Sequence, residues 1–181
     1  SGGEKESGVV NRGVIDANVA ELKAHGGNVY GMAIKNEGRV AATSVSLEGG
    51  QIFLRAEGGR VQSAGALKAT RGSDGGIVVV DGGAEGLAEV GGTVDVSGVA
   101  GVGGSVLVTG EKVVVMENSH LLADGDTGGG NLRIGGGIRG EEQAFQNANS
   151  TRIGNGAMLS ADARWVLSLI HISEPTRPSS I

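Results

Sequence analysis

The two acidic residues in Asp124-Gly125-Asp126-Thr127-Gly128 are spaced as in a calcium-binding loop. Carboxylate oxygens are hard ligands that suit Ca²⁺, which takes about six to eight oxygen ligands in proteins. The rest of an EF-hand loop is missing, because no third ligand follows and no Glu stands twelve residues along. A polar turn explains the segment more simply, since Asp side chains accept hydrogen bonds from nearby backbone amides. We therefore predict no metal site here.

A second motif, Gly135-x-Gly137-x-x-Gly140, has the glycine spacing of a dinucleotide-binding turn. That site also needs a helix after the glycines and an acidic residue about 20 positions later. No apolar helical stripe follows residue 140, so we predict no bound cofactor. His25 and His120 each lack a second histidine or carboxylate at metal-ligand spacing. We expect both histidines to face solvent.

Acid–base cleavage of a polysaccharide would need clustered Asp, Arg or Lys on one face of the protein. The acids of this chain are instead scattered along it, for example at Asp81, Asp95, Glu111 and Asp124. Lys68 and Asp95 occupy equivalent positions of the repeat described below, which predicts an ion pair between adjacent strands. We therefore predict that the chain has no catalytic residues and is not an enzyme.

The composition points to a narrow, strand-rich protein. Gly accounts for 36 of 181 residues, Pro for 2, and the aromatic residues number four. Apolar content is 39%, which is too high for simple disorder. The net charge of −5, without a basic run, predicts no nucleic-acid binding. There is no Cys and no apolar run of 18 residues, so we predict neither a disulfide nor a membrane-spanning segment.

One short pattern recurs along the chain: a small residue, a spacer, an aliphatic residue, a spacer, then Ala or Val. Its aliphatic positions are spaced by 25, 27, 27, 27 and 38 residues, and they are Ile15, Val40, Leu67, Val94, Leu121 and Leu159. A fixed period in this range is typical of repeat architectures, in which each unit buries its apolar face against its neighbours.

A second column runs in step with the first. Gly-Gly pairs begin at Gly49, Gly75, Gly103 and Gly129, and each is followed by two apolar residues at alternate positions. The eight apolar residues are Ile52, Leu54, Val78, Val80, Val106, Val108, Leu132 and Ile134. Residues two apart share one face of a strand, and Gly can supply the positive φ that sharp corners need. The two columns predict an all-β, parallel β-helix of about six coils, each of about 27 residues. Its right-handed sense is implied only by the family resemblance given below.

The order of these motifs resembles the haemagglutination-activity and shaft regions of filamentous haemagglutinins, the exoproteins of two-partner secretion. The signature Gly-Gly-Asn-x-Tyr stands at Gly26-Gly27-Asn28-Val29-Tyr30, and an Ala-Ile-Asn-like strand follows at Ala33-Ile34-Lys35-Asn36. The later segments GNLRIGGGIRG and TRIGNGAMLSADA also fit the shaft, so that the resemblance covers nearly all of residues 7–163. The Asn-Pro-Asn-type motif of the secretion domain is absent.

The resemblance implies a fragment of an adhesin that is secreted to the outer surface of a Gram-negative cell. Its implied partners are an outer-membrane β-barrel transporter, for the full-length protein, and a receptor or glycan on a host or neighbouring cell. One alternative is the stalk of a contact-dependent toxin. Another is a polysaccharide-degrading β-helix enzyme.

The last repeat is 11 residues longer than the others, and its excess lies in the polar run near residues 141–151. Insertions in repeat proteins form loops on one face, which is often the binding face. We therefore predict a protruding contact loop that includes Glu141, Glu142, Phe145 and Asn149. Asn149-Ser150-Thr151 is also an Asn-glycosylation sequon.

The C-terminal end differs from the rest of the chain. Gly is absent after Gly156, and both prolines lie in the last seven residues. The string LSLIHISEPTR, residues 167–177, resembles the translation of an adapter used to prepare sequencing libraries. We expect residues 1–166 to be the β-helix shaft and residues 167–181 to be a non-native tail, which would also include His171.

Overall fold

The computed structural model describes residues 8–24, 32–45, 49–136 and 147–163, together with the backbone of residues 169–172. Its strands form three sheets. Sheet A contains β1 (Val9–Asn11), β4 (Met32–Asn36), β7 (Arg60–Ser63), β11 (Leu87–Val90), β14 (Lys112–Val115) and β17 (Ser150–Ile153). Sheet B contains β2 (Val14–Ala17), β5 (Arg39–Ser44), β8 (Ala66–Arg71), β12 (Thr93–Asp95), β15 (His120–Leu122), β18 (Met158–Ser160) and the short β9 (Asp74–Gly75). Sheet C contains β3 (Val19–Ala24), β6 (Gln51–Ala56), β10 (Ile77–Asp81), β13 (Ser105–Thr109), β16 (Asn131–Ile134) and β19 (Leu169–Ile172).

The chain passes through sheets A, B and C in turn and then returns to sheet A one position further along. Every pairing between successive coils is parallel, and the one antiparallel strand pair in the described residues joins β8 to the two-residue β9. This arrangement is a parallel β-solenoid without helices in the described residues, which confirms the predicted fold class. The right-handed sense of the coil stays a prediction.

The first aliphatic column is the inner ladder of sheet B. Its six members pair in register from one strand to the next, in the order Ile15, Val40, Leu67, Val94, Leu121 and Leu159. The second column is the inner ladder of sheet C, where Ile52, Val78, Val106 and Leu132 pair in the same way and are at most 1% exposed. Successive side chains of a strand point to opposite faces, so the residues before and after each ladder position face outward. Both predicted columns are confirmed.

Four coils enclose the fully buried part of the core. In these coils the inward residues of sheet B, Val40, Leu67, Val94 and Leu121, are at most 1% exposed. The end members of the same ladder, Ile15 and Leu159, are only partly buried, because each lacks a complete layer on one side. The prediction of about six coils counted these end rungs, whereas the closed core spans about four.

Sheet A contributes a third inner ladder that the sequence patterns did not reveal. Ile34, Val61, Ala88 and Val113 line it, and they are at most 1% exposed. Beside it lies a polar row in which Asn11 Nδ2 donates to Asn36 Oδ1 at 2.8 Å, and Asn36 Nδ2 donates to Ser63 Oγ at 3.1 Å. Asn36 and Ser63 are fully buried. These hydrogen bonds satisfy the two side chains, which would otherwise be costly to bury.

The glycine column has a different physical basis from the one predicted. Gly50 has a φ of +69°, as expected at a sharp corner. Gly76, Gly104 and Gly130 do not adopt positive φ, and at each of them a Cβ would collide with the carbonyl oxygen of the glycine one coil before. Close stacking of successive coils, rather than backbone conformation, therefore requires glycine at these three positions.

Candidate contact surfaces

The outer face of sheet C is the most apolar of the three faces. Its central outward column contains Phe53, Val79 and Leu107, which pair in register and are all half-buried. The guanidinium of Arg55 lies over the Phe53 ring, 4.3 Å from its centroid, and Arg55 Nη1 is 3.9 Å from Glu21 Oε1.

The corresponding outward column of sheet B is polar and contains the predicted ion pair. Lys68 Nζ lies 3.0 Å from Asp95 Oδ2, on adjacent strands, which confirms the expectation. Burial alone would raise the pKa of Asp95, but hydrogen bonds from the Ser97 amide and from Lys68 outweigh it, so the pKa lies below its ordinary value. The arrangement links two successive coils through their outward side chains.

Ion pairs on sheet A and its corner also connect neighbouring coils. Arg12 Nε lies 3.0 Å from Glu37 Oε2, and Lys35 Nζ lies 2.7 Å from Glu37 Oε1. Hydrogen bonds from Lys35 and then Arg12 lower the pKa of the Glu37 carboxyl. On the next two strands of the same sheet, Arg60 pairs with Glu89. The pairs at Glu37 are exposed to solvent, which screens them, so they contribute little to stability.

The Asp124 turn lies at the corner between sheets B and C, where Asp124, Asp126 and Asp162 line a surface cavity of about 280 Å³. Asp124 Oδ1 accepts hydrogen bonds from Ser160 Oγ at 2.5 Å and from the Asp162 amide at 2.8 Å. The carboxylate thus fastens this corner to the next coil. Among the described residues there is no group of three or more His, Cys, Asp or Glu side chains arranged to hold a metal ion.

The remaining predicted positions are distributed around the coil. His120 begins β15 and is exposed, as predicted, whereas His25 lies outside the described residues. Gly135 of the glycine motif is described and buried, but Gly137 and Gly140 are not among the described residues. Asp81 accepts a hydrogen bond from the Gly83 amide in a turn. Of these positions, the three that the structure describes, His120, Gly135 and Asp81, lie on separate strands or turns and do not form one site.

The predicted contact loop belongs to the corner between sheets C and A. Fifteen residues separate β16 from β17, whereas two separate β13 from β14. The flanking strands keep their register, so the extra residues are confined to this corner. Glu141, Glu142 and Phe145 lie outside the described residues. Asn149 is exposed, and its backbone amide donates to the Glu111 carbonyl at 2.7 Å. Its role in contact or glycosylation stays a prediction.

The C-terminal strand extends sheet C by backbone pairing alone. Its backbone pairs in parallel with β16, with Ile170 opposite Leu132. A segment with strand propensity can add to an open parallel edge whatever its origin, so this pairing is compatible with either source of the tail. The adapter origin stays a prediction.

Comparison with known proteins gives no assignment, because no protein-family model, curated protein or solved structure matches this chain. Across the described residues, the structure contains no helix that is both long and apolar enough to cross a membrane.

Proposed function

We propose that the chain is part of the shaft of a secreted, surface-exposed adhesin of the filamentous-haemagglutinin type. The observation that supports this most directly is the unbroken parallel stacking, in which each inner ladder continues in register from coil to coil. Such a stack has contacts only between neighbouring coils, so it can be lengthened without changing its cross-section. That property suits a spacer that holds binding surfaces away from a cell.

The ion pairs and apolar ladders give the proposed shaft its stiffness. Each coil is hydrogen-bonded to the next on three sides, and ion pairs such as Lys68–Asp95 add contacts at the surface. The outward columns of sheets A and B are mainly polar, whereas that of sheet C has three consecutive apolar residues, so the shaft presents chemically different stripes along its length. The sequence resemblance supports export through a two-partner transporter to the surface of a Gram-negative cell.

The direct test is adhesion of the isolated chain. Beads coated with the 181-residue protein are applied to erythrocytes and epithelial cells under flow, and beads coated with urea-unfolded protein serve as the control. We expect the folded chain to give saturable binding that free protein in solution competes away. Binding that is equal for folded and unfolded protein would contradict the adhesin proposal.

A second candidate is polysaccharide cleavage, and the cavity at the Asp124, Asp126 and Asp162 corner is the observation that favours it. The test measures the release of unsaturated or reducing ends from polygalacturonate, with Asp126→Asn as the control variant. If the protein cleaves this substrate and Asp126→Asn abolishes the cleavage, polysaccharide cleavage replaces the adhesin proposal. The toxin-stalk alternative is separated by a co-culture assay of the full-length protein, in which killing of neighbouring cells on contact is scored.

A further inference from the structure

The outer face of sheet C has the sequence character of a surface that is covered. Parallel strands buried on both faces are nearly continuous apolar runs. β10 reads Ile-Val-Val-Val over residues 77–80 and β13 reads Val-Leu-Val over residues 106–108, although only alternate residues face the core. The equivalent outward columns of sheets A and B are mainly polar and have no three consecutive apolar members: Gln62 and Glu89 precede Val114 on sheet A, and Lys68 and Asp95 precede Leu122 on sheet B. The difference indicates that sheet C, unlike the other two, meets another surface.

The charges at the two ends of the outward column make it self-complementary. The part of the column that lies on β3 to β16 runs, in register, through Glu21, Phe53, Val79, Leu107 and Arg133, and the backbone of β19 continues the sheet beyond Arg133. Val79 is its midpoint, with one apolar residue and then one charged residue on each side. The charge before it is negative and the charge after it is positive. A two-fold axis that lies in the interface, parallel to β10, therefore places the negative end of one copy's column opposite the positive end of the other copy's column.

We propose that the outer face of sheet C binds a second copy of this chain in an antiparallel, two-fold arrangement centred on β10. In such an isologous interface the same patch is used by both copies. Val79 packs on the second copy's Val79, Phe53 packs on the second copy's Leu107, and Glu21 lies opposite the second copy's Arg133. Ile77 lies on the same strand as Val79 and also meets its own equivalent. The pairing is independent of whether the shaft is an adhesin.

The size of the face determines how tight the pairing is. Five strands at about 4.8 Å spacing and five residues at about 3.3 Å give a patch of about 400 Å² on each copy. The total of about 800 Å² is below the roughly 1,200–2,000 Å² of stable specific interfaces, so the proposed dimer is weak and reversible. Asp81 falls near its own equivalent at one edge, where Arg55 on the neighbouring strand of each copy offsets the like charges. These features predict a concentration-dependent equilibrium rather than a permanent dimer.

The first experiment is sedimentation equilibrium of the full chain over a concentration series up to about 0.5 mM, a range that covers weak association. We expect a monomer–dimer equilibrium that Val79→Lys abolishes, because it places two ammonium groups on the two-fold axis. The matched control is Val114→Lys, which makes the same change at a half-buried outward position of sheet A. Circular dichroism is used to check that both variants remain folded.

The second experiment tests the antiparallel geometry. Glu21→Lys and Arg133→Glu each place like charges at both ends of the interface, so each variant alone should dissociate about tenfold more readily. In an equimolar mixture of the two variants, a heterodimer has opposite charges at both ends. Mixing should therefore restore dimerisation to the level of the unchanged protein.

Three results would overturn the proposal. The first is a protein that stays monomeric throughout the concentration series. The second is a dimer that Val79→Lys leaves intact, or a mixture that dimerises no better than its two components. The third is that the protein is monomeric and that Val79→Lys lowers its thermal stability much more than Val114→Lys does. That result would mean that another segment of the same chain covers the outer face of sheet C.

Discussion

The two leucines of β15 provide a sharp test of the inner ladders, because they differ only in the direction in which they point. Leu121 faces inward, pairs with Val94 on one side and Leu159 on the other, and is 0% exposed. Leu122 is the next residue, faces outward and is half-buried. Replacing each by Ala removes the same three carbon atoms from the same strand. The difference in stability between the two variants therefore measures burial inside the coil.

The expected magnitudes follow from the packing. Loss of three buried carbons costs about 2.4 kcal/mol, at about 0.8 kcal/mol for each. The strands on both sides of β15 are fixed by hydrogen bonds, so the core collapses little around the missing atoms and a cavity remains. That cavity brings the cost of Leu121→Ala to about 3–4 kcal/mol. For Leu122→Ala we expect less than about 1 kcal/mol, because the side chain already contacts solvent.

The assay is urea unfolding followed by far-ultraviolet circular dichroism, with the free energy of unfolding extrapolated to zero denaturant. The two variants and the unchanged protein are compared under identical conditions. Equal losses in the two variants, or a larger loss for Leu122→Ala, would refute the reasoning. The latter result would mean that the strand is shifted by one residue, which exchanges the inner and outer faces.

Three further predictions use the same unfolding measurement. Asn36→Ala should lower the free energy of unfolding by about 2–3 kcal/mol, because it leaves buried polar groups of its neighbours without partners. Adding Ser63→Ala should lower it little further, and a fully additive effect of the two substitutions would contradict the hydrogen-bonded row. Thr151→Val should be neutral or stabilise by up to about 1 kcal/mol, because Thr151 Oγ1 is buried without a hydrogen-bond partner; a clear loss of stability would show that the hydroxyl is bonded. Because the pKa of Asp95 is lowered in the folded protein, its carboxylate stabilises the fold at neutral pH, and this contribution is lost as the pH falls below about 4 and through the folded-state pKa. Asp95→Asn should remove this part of the pH dependence of stability, and an unchanged pH profile would count against the Lys68–Asp95 pair.

The inner ladders of sheets B and C could be predicted because they are apolar and strictly spaced. A 27-residue period places Leu67, Val94 and Leu121 one above another in any coil of constant length. Sheet A has an inner apolar ladder of the same period, Ile34, Val61, Ala88 and Val113, but it lacks the second apolar row that identified sheet C. Two residues further along each strand, the buried row changes from Asn36 and Ser63 to Val90, so the pair of apolar residues at alternate positions does not repeat from coil to coil.

Two features could not be predicted from single repeats: why glycine is required at the stacked corner positions, and the apolar character of the outer face of sheet C. Gly104 is required by the carbonyl of Gly76, which lies 28 residues earlier in the chain and becomes its neighbour only once the coils stack. In the same way, Phe53, Val79 and Leu107 are ordinary outward residues when taken one at a time. They form a continuous apolar stripe only when the register joins them, and the sequence alone does not state that register to the residue.

The distribution of chemistry on this coil favours recognition by extended surfaces over recognition by a pocket. Several charged residues pair with a neighbouring strand, as Lys68 does with Asp95 and Arg60 with Glu89. Two other features extend over several coils: the apolar stripe of sheet C and the acidic corner at Asp124. A ligand that bridged several coils would contact one residue from each, and its affinity would depend on the rise between coils. Because hydrogen bonds between strands set that rise, substituting a buried ladder residue such as Leu121 would lower the stability of the coil but leave the spacing of the surface residues, and therefore such binding, unchanged in the folded protein.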